Sequence, residues 1–355
     1  MEAAAISILC HVHPQLSIAN IYVKLPETLK GNVTCWVKGN SLHLQINNLE
    51  FKLNFPELVQ LLDGTSFQPT VEDNYIHLRM PSNGSNSIDL IRFPRLKSDF
   101  FDKDKNKMWT PQTGTKNNVK CNHCSTVLVE SIEFDRVLPL PGDSWSEAAS
   151  DWYCHLHGDT DVHKKLTPRR TDCLYGSSFY SFPLNIFNSS PLTHCPNCQS
   201  QVGRLNDDTI NFWCHSVRWS VANEEMKAPT ALQAFHFTLK EALNEQESFF
   251  GRKLVFKSGN EALTIWLVGD NGFTMEGASR SEDLSVDLVK GDKQRVLFKF
   301  ERDQYKMAST NVSEHVVSGM MLQDIVRLLD ESCLLLPPTC RTVNDFSIGF
   351  LSFSA

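Results

Sequence analysis

The chain has 355 residues, 41% of them hydrophobic and 21% charged, the composition of an ordinary globular protein with room for two or three cored modules. A formal net charge of −7 and a pI near 5.9 argue against a protein whose main task is gripping phosphate backbones, which is the work of basic domains, so strong direct nucleic-acid binding is not expected. Eleven cysteines, no export pattern in Met1–Ala5 and no apolar run near the ~18 residues that span a bilayer lead to the expectation of a cytoplasmic or nuclear protein, with thiols free or metal-bound and no membrane partner.

In chain order, residues 5–93 read as an antiparallel β module. Leu42, Leu44 and Ile46 alternate with polar residues, as do Leu49, Phe51, Leu53 and Phe55, and then Ile76, Leu78 and Met80, the period of two that half-buried strands need. Pro56, Gly64, Pro69 and the run from Pro81 to Ser87 punctuate them. His11, His13 and His43 read as surface or strand histidines rather than metal ligands, because no second cluster shares their spacing. From Ser98 to Asn118 the chain turns polar and charged, which predicts a linker or long loop.

Cys121-Asn122-His123-Cys124 and Cys195-Pro196-Asn197-Cys198 are two C-x-x-C turns. Each places two thiolates on one side of a tight loop, and two together supply the four sulfurs of a structural zinc site, Cys121, Cys124, Cys195 and Cys198. The interval from 125 to 194 far exceeds the roughly 15–20 residues of an ordinary zinc ribbon. It has the length of an inserted subdomain, so the metal would staple the feet of a large excursion.

Within that excursion, Val137-Leu138-Pro139-Leu140-Pro141 reads as extended, since each proline disfavours helix at the residue before it. Ser144-Trp145-Ser146-Glu147 has capping-box spacing, and Trp145, Ala148, Ala149 and Trp152 share one helical face, which predicts a short helix ending near Trp152. Tyr153-Cys154-His155-Leu156-His157 follows, and then a basic loop through His163, Lys164, Lys165, Arg169 and Arg170 leads to Asp172-Cys173. A thiol, several imidazoles and a carboxylate this close together read as a second metal site, as a nucleophile with its base, as a projecting loop that meets another protein's metal, or as a solvated loop with incidental ligand types.

Beyond Gly203, Ile210, Phe212 and Cys214 predict a strand with Trp213 and His215 on its other face. Pro229 opens a helix carrying Leu232, Phe235, Leu239 and Leu243 on one stripe and closing at Gly251. Residues 254–257, 263–268 and 273–276 read as strands, the last two flanking Gly269-Asp270-Asn271-Gly272 as a hairpin; Val296, Phe298 and Phe300 add another strand. Ser313 is placed to cap a last helix bearing Val317, Met320, Met321, Ile325, Leu328 and Leu329. Phosphate-binding glycine loops, Gly-x-Ser-x-Gly and His-Glu-x-x-His are absent from the sequence.

The order of these motifs carries a resemblance. A first C-x-x-C, then Arg136-Val137-Leu138-Pro139-Leu140-Pro141, Trp152-Tyr153-Cys154-His155, Asp172-Cys173, Gly176-Ser177-Ser178-Phe179 and a second C-x-x-C resemble the E2-binding, HECT-like family of ubiquitin-protein ligases. The resemblance implies two activities. In one, a cysteine accepts ubiquitin from an E2 ubiquitin-conjugating enzyme and passes it to substrates; HECT ligases carry a Thr-Cys pair near the C-terminus, matched here by Thr339-Cys340, with Arg341 placed to lower its pKa and Asp345 to orient an amine. In the other, members associate with the zinc endonuclease of metallo-β-lactamase fold that cleaves pre-mRNA 3′ ends, through a segment similar to Trp152-x-Cys154-His155. A soft thiolate and an imidazole can occupy the open positions of a binuclear zinc centre, with Lys164, Lys165, Arg169 and Arg170 meeting a surface that otherwise accepts RNA. The region of the 229–251 helix is associated with E2 contact in the family, although its apolar stripe reads more simply as core.

Together these readings give an α+β, β-rich protein in three units: an antiparallel β module with its linker at 1–118, a four-cysteine zinc module with its inserted loop at 119–222, and a C-terminal α+β HECT-like module at 223–355. The residues favour a non-catalytic binding or inhibitory factor, and the family resemblance an E3 ubiquitin-protein transferase.

Overall fold

A computed structural model of the chain describes residues 6–29, 31–57, 59–61, 66–84, 110–140, 168–186, 192–206, 208–221, 224–244, 252–268, 272–279, 285–291, 293–303 and 312–352. It is β-rich, with two α-helices among the described residues. The short helix expected at 144–152 and the turn at 269–271 lie outside them.

The predicted alternation is realised in the N-terminal sandwich. Ile6–His13 pairs antiparallel with Ile18–Lys24, which pairs with Tyr75–Gly84. Ile6, Ile8, Cys10 and Val12 turn inward with Ile21, Val23, Ile76, Leu78 and Met80. They meet Cys35, Val37, Leu42, Leu44, Ile46, Phe51 and Leu53 from a second sheet built on Val33–Lys38, Ser41–Ile46 and Leu49–Asn54. Two strands from late in the chain complete these sheets. Phe273–Ser279 pairs antiparallel with Ile6–His13, and Ser285–Asp287 pairs parallel with Leu49–Asn54.

That pairing overturns the hairpin expected across Gly269–Gly272. Glu261–Leu267 pairs instead with Arg252–Ser258 and Lys293–Arg302, so the two flanking strands belong to different sheets. The sandwich core accounts for the difference, because Phe273 and Met275 bury fully in it beside Val286 and Leu288, apolar burial that a local turn does not supply. His11 also differs from a surface histidine: it lies in its strand but buried, with its ring against His13 and Phe350.

In the middle of the chain a four-stranded sheet (Val127–Glu133, Lys116–Cys121, Val217–Val221, Glu224–Glu225) lies beside a five-stranded one (Arg136–Pro139, Asp172–Tyr175, Phe179–Pro183, Thr209–Trp213, Gly203–Asn206). Lys116–Cys121 begins inside the stretch expected to be linker. Its polar Asn117 is fully buried because the side-chain amide donates to the carbonyls of Gln112, Thr115 and Ile132, which removes the cost of burying it.

The C-terminal part is a six-stranded sheet with helices α1, Ala231–Asn244, and α2, Gly319–Cys333. Thr230 and Gln233 form a reciprocal capping box on α1, and Phe235 and Leu239 of its stripe are buried in the core. Helix α2 is capped by Ser318, whose Oγ accepts from the Met321 N–H at 3.1 Å. Ser313 lies instead in the strand Val312–Val316, parallel to Arg252–Ser258. Met321, Ile325 and Leu329 face the sheet, while Met320 is exposed. One core runs through the middle and C-terminal parts, and Leu9, Leu297, Leu336, Ile348 and Phe350 join the N-terminal sandwich to the C-terminal sheet.

Candidate functional site

The two C-x-x-C turns form near-copies of one structure. In the first, the Cys121 N–H donates to Thr126 O and the Ser125 N–H to Cys121 O, with Ser125 at φ 65°; in the second, Cys195 and Ser200, Gln199 and Cys195 repeat these bonds, with Gln199 at φ 60°. The first turn is rooted at the end of Lys116–Cys121 and the second is closed by a bridge between His194 and Gln201. The metal-binding atoms of Cys121, Cys124, Cys195 and Cys198 all lie within 4.8 Å of one another.

Across the turns, Cys124 Sγ and Cys195 Sγ are 3.5 Å apart, and Cys121 Sγ and Cys198 Sγ 3.7 Å. A tetrahedron with metal–sulfur bonds of about 2.3 Å has sulfurs roughly 3.8 Å apart, so the four residues fit a thiophilic metal ion. All four are free thiols rather than disulfides. The Thr126 hydroxyl and N–H hydrogen-bond Cys124 Sγ and lower its pKa to about 5; those of Ser200 lower Cys198 in the same way. Burial pushes Cys121 the other way, up to about 12, and a cation in the cluster offsets that desolvation. The hydroxyl two positions after each second cysteine was visible in the sequence as Thr126 and Ser200, but its role as a sulfur partner was not read from it.

A second closure lies inside the excursion. Arg136–Pro139 runs parallel to Asp172–Tyr175, and the Leu140 N–H donates to Tyr175 O. Buried Asp172 receives Arg136 Nε at 2.9 Å and Nη2 at 2.6 Å, together with the Arg169 N–H. The Arg136 hydrogen bonds hold the Asp172 carboxyl below the usual carboxylate range. Thr171 Oγ1 donates to Asp135, each residue standing just before its strand of the pair. Arg136 and Asp172 stood in the motif order, but nothing in the sequence paired them.

Of the loop residues, Arg169 and Arg170 are exposed at one foot. Trp152, Cys154, His155, Lys164 and Lys165 lie outside the described residues. Cys340 is half-buried at the end of a short 3₁₀ turn, Pro338–Cys340, against the cluster of Leu9, Leu336 and Phe350. Its neighbours tie the turn to the N-terminal sandwich: Thr339 donates from its N–H and hydroxyl to Glu72, and Arg341 Nη2 lies 2.9 Å from the Tyr75 hydroxyl, which in turn donates to Leu334 O. Arg341 and Asp345 both have other partners than Cys340, since Arg341 also donates to Leu336 O and Asp345 pairs with Lys299 at 2.9 Å.

The fold and the site define a β-rich α+β protein whose middle is closed by one four-thiol centre. The family described as HECT-like ubiquitin-conjugating enzyme (E2)-binding matches residues 11–348, and the chain belongs to it. It is similar to several mammalian proteins that carry the name of an E3 ubiquitin-protein ligase: that of Bos taurus is 21% identical over 279 residues, covering 65% of this chain and 71% of the relative. The Rattus norvegicus relative is 25% identical over 255 residues, covering 64% and 68%, and the Homo sapiens one 21% over 281 residues, covering 65% and 71%. No solved structure matches the chain.

Proposed function

We propose that this protein is an E2-binding member of the ubiquitin system, acting in cytoplasm and nucleus, that engages the pre-mRNA 3′-end-processing endonuclease through the segment between its paired strands, with Cys154 and His155 entering the nuclease's metal site. The observation that supports this reading is the base of the segment. A parallel strand pair and the Arg136–Asp172 clamp close the segment's two ends on each other, inside the wider excursion that the four-thiol centre closes, and a rigid base is what insertion of two side chains into a deep site requires. Zinc is the metal we assign to the centre, since four thiolates in a closed tetrahedral set are its structural site. Arg169 and Arg170, exposed at the foot, add positive charge towards a phosphate-binding surface.

A second reading keeps the activity in the relatives' name: Cys340 receives ubiquitin from an E2 as a thioester. The half-buried place of Cys340 on a turn fixed to Glu72 and Tyr75 favours it. One experiment separates the two. The purified nuclease is captured with wild type, Cys154→Ala and Cys340→Ala, with bound metal measured for each, and the same proteins are loaded with ubiquitin from a charged E2. Loss of capture confined to Cys154→Ala, with metal retained, supports the first reading. Capture indifferent to Cys154 overturns it, and a reducible ubiquitin adduct absent only in Cys340→Ala establishes the second.

A further inference from the structure

At the margin of the cluster of Leu9, Leu297, Ile348 and Phe350, the C-terminal sheet carries a corner built from two aromatic rings and a cation. Lys253 is the cross-strand partner of Trp266, Trp266 of Leu297, and Leu297 of Ile348, two residues along the strand from Phe346. This register sets the indole of Trp266 and the phenyl ring of Phe346 edge to face, with centroids 5.7 Å apart and planes at 67°. Lys253 Nζ lies 4.7 Å from the indole centroid and 5.6 Å from the phenyl centroid. One ammonium thus lies over two rings, inside the ~6 Å within which a ring quadrupole holds a cation. All three residues are partly exposed, while Trp266 and Phe346 rest on the cluster beneath, so the corner meets solvent on one side.

The charges around it favour a cation without fixing a second one in place. Asp345, next to Phe346 and exposed, pairs with Lys299 at 2.9 Å, and Lys299 also reaches Glu301 at 3.2 Å. Lys253 has no carboxylate within ion-pair distance among the described residues; the two rings hold its ammonium, with Asp345 attracting it from farther off.

We propose that the Trp266–Phe346 corner is a binding site for a trimethylammonium group, with the Lys253 ammonium as a built-in competitor that the ligand displaces. Exchange of one cation for another leaves the charge of the corner unchanged, so no uncompensated charge is created. The two cations differ in hydration. A lysine ammonium is compact and strongly hydrated, and on leaving the rings it regains water and side-chain freedom. A trimethylammonium spreads the same charge over methyl groups, loses less hydration on entering, and is the cation that aromatic cages select. The chemistry has two sources, a free choline-like molecule or a trimethylated lysine side chain of a partner protein. The proposal uses none of the four thiols, and Trp266 and Phe346 pack on the same cluster as Cys340.

The test follows the indole N–H resonance of Trp266, assigned by its disappearance in Trp266→Phe, during titration of the full chain. The probes are tetramethylammonium, choline, a trimethyllysine peptide, its unmethylated counterpart and the neutral carbon isostere of choline. Saturable shifts with the quaternary probes, at least about fivefold weaker with the neutral isostere and the unmethylated peptide, are expected. Lys253→Gln should tighten the quaternary probes by about fivefold, and Phe346→Leu should weaken them by a similar factor. Tighter binding of the peptide than of choline assigns the site to a partner protein, and the reverse to a small molecule. A neutral isostere that binds as well as choline, or a Lys253→Gln protein with unchanged affinity and an unchanged thermal midpoint, overturns the proposal.

Discussion

His215 Nε2 lies 2.7 Å from Ser318 Oγ, and this buried contact connects the metal-bearing half of the protein to its last helix. On one side, the Asn122 side chain from the first C-x-x-C turn donates to His215 O and the Asn122 N–H to Ser216 O. On the other, Ser318 Oγ accepts from Met321 N–H and starts α2. The turn that follows Thr209–Trp213 is therefore held between the thiol centre and a helix cap.

Burial lowers the pKa of His215 to about 4, against roughly 6.5 for an unfolded histidine. Between these values the folded protein binds fewer protons than the unfolded chain. Stability is therefore flat above pH 6.5 and falls as the pH drops towards 4, by up to about 3 kcal/mol from this group. His215→Gln retains a partner for Ser318 but cannot titrate. Denaturant midpoints of wild type and His215→Gln should diverge between pH 7 and pH 5; parallel curves would show that the ring is not held neutral.

Ser318→Ala removes the cap and leaves His215 Nε2 unpaired, at a cost of about 2 kcal/mol. Urea unfolding at pH 7.5 reads that cost directly. Ser313→Ala should change little, because Ser313 is in the strand and not at the helix start.

Gly349 lets α2 approach the sheet. A Cβ there would stand 2.8 Å from Leu329 Cδ2 and 3.1 Å from Phe298 Cδ1, both in the core. Gly349→Ala should destabilise by about 1–3 kcal/mol through overpacking, with the unfolding slope unchanged. A compensating Leu329→Ala in the same chain should recover part of the loss, and a simple sum of the two costs would show that the two positions do not touch.

The alternation at 41–55 and 76–80 and the two C-x-x-C turns were legible because each is a local pattern with a physical cause, one-sided burial in the first and four sulfurs for one cation in the second. Partner choice was not. Phe273–Ser279 follows a good hairpin signal yet pairs with Ile6–His13, since what decides it is burial of Phe273 and Met275 in a core formed by the other end of the chain. Asn117 read as linker because its satisfaction comes from carbonyls that only the folded chain brings together. Ser318 and Ser313 both precede an apolar run; the strand pairing with Arg252–Ser258 decides between them. The Thr339-Cys340-Arg341 turn was visible as a dipeptide with a charge beside it, while its attachment to Glu72 and Tyr75 depends on contacts across the whole chain.

Asp172→Asn tests the clamp at the base of the excursion. It weakens both hydrogen bonds from Arg136 and leaves a buried amide facing a guanidinium, which should lower stability by about 1–2 kcal/mol. The folded carboxyl pKa is depressed, chiefly by Arg136. The clamp is therefore complete above the ordinary carboxylate pKa and is lost as the pH falls through the folded value. Wild type and Asp172→Asn should consequently differ at pH 7 and converge in acid. On the proposed function, the variant also captures the nuclease less well with its metal retained, because the segment's base is looser.

Metal occupancy separates the two halves of each turn. The chain as purified should carry one metal ion, and cobalt(II) in its place should give the absorption of a tetrahedral thiolate site. Removal with a strong chelator should lower the thermal midpoint by about 4 °C, since a ligand present at 100 times its Kd stabilises by about 2.7 kcal/mol. Cys121→Ser and Cys195→Ser, at the buried root of each turn, should abolish occupancy. Thr126→Val and Ser200→Ala keep all four sulfurs but remove the hydroxyls that favour thiolate at Cys124 and Cys198, so they should weaken binding roughly tenfold and shift its pH dependence upward. Equal affinity and an unshifted pH profile in both hydroxyl variants would mean that the sulfurs take their charge from the metal alone.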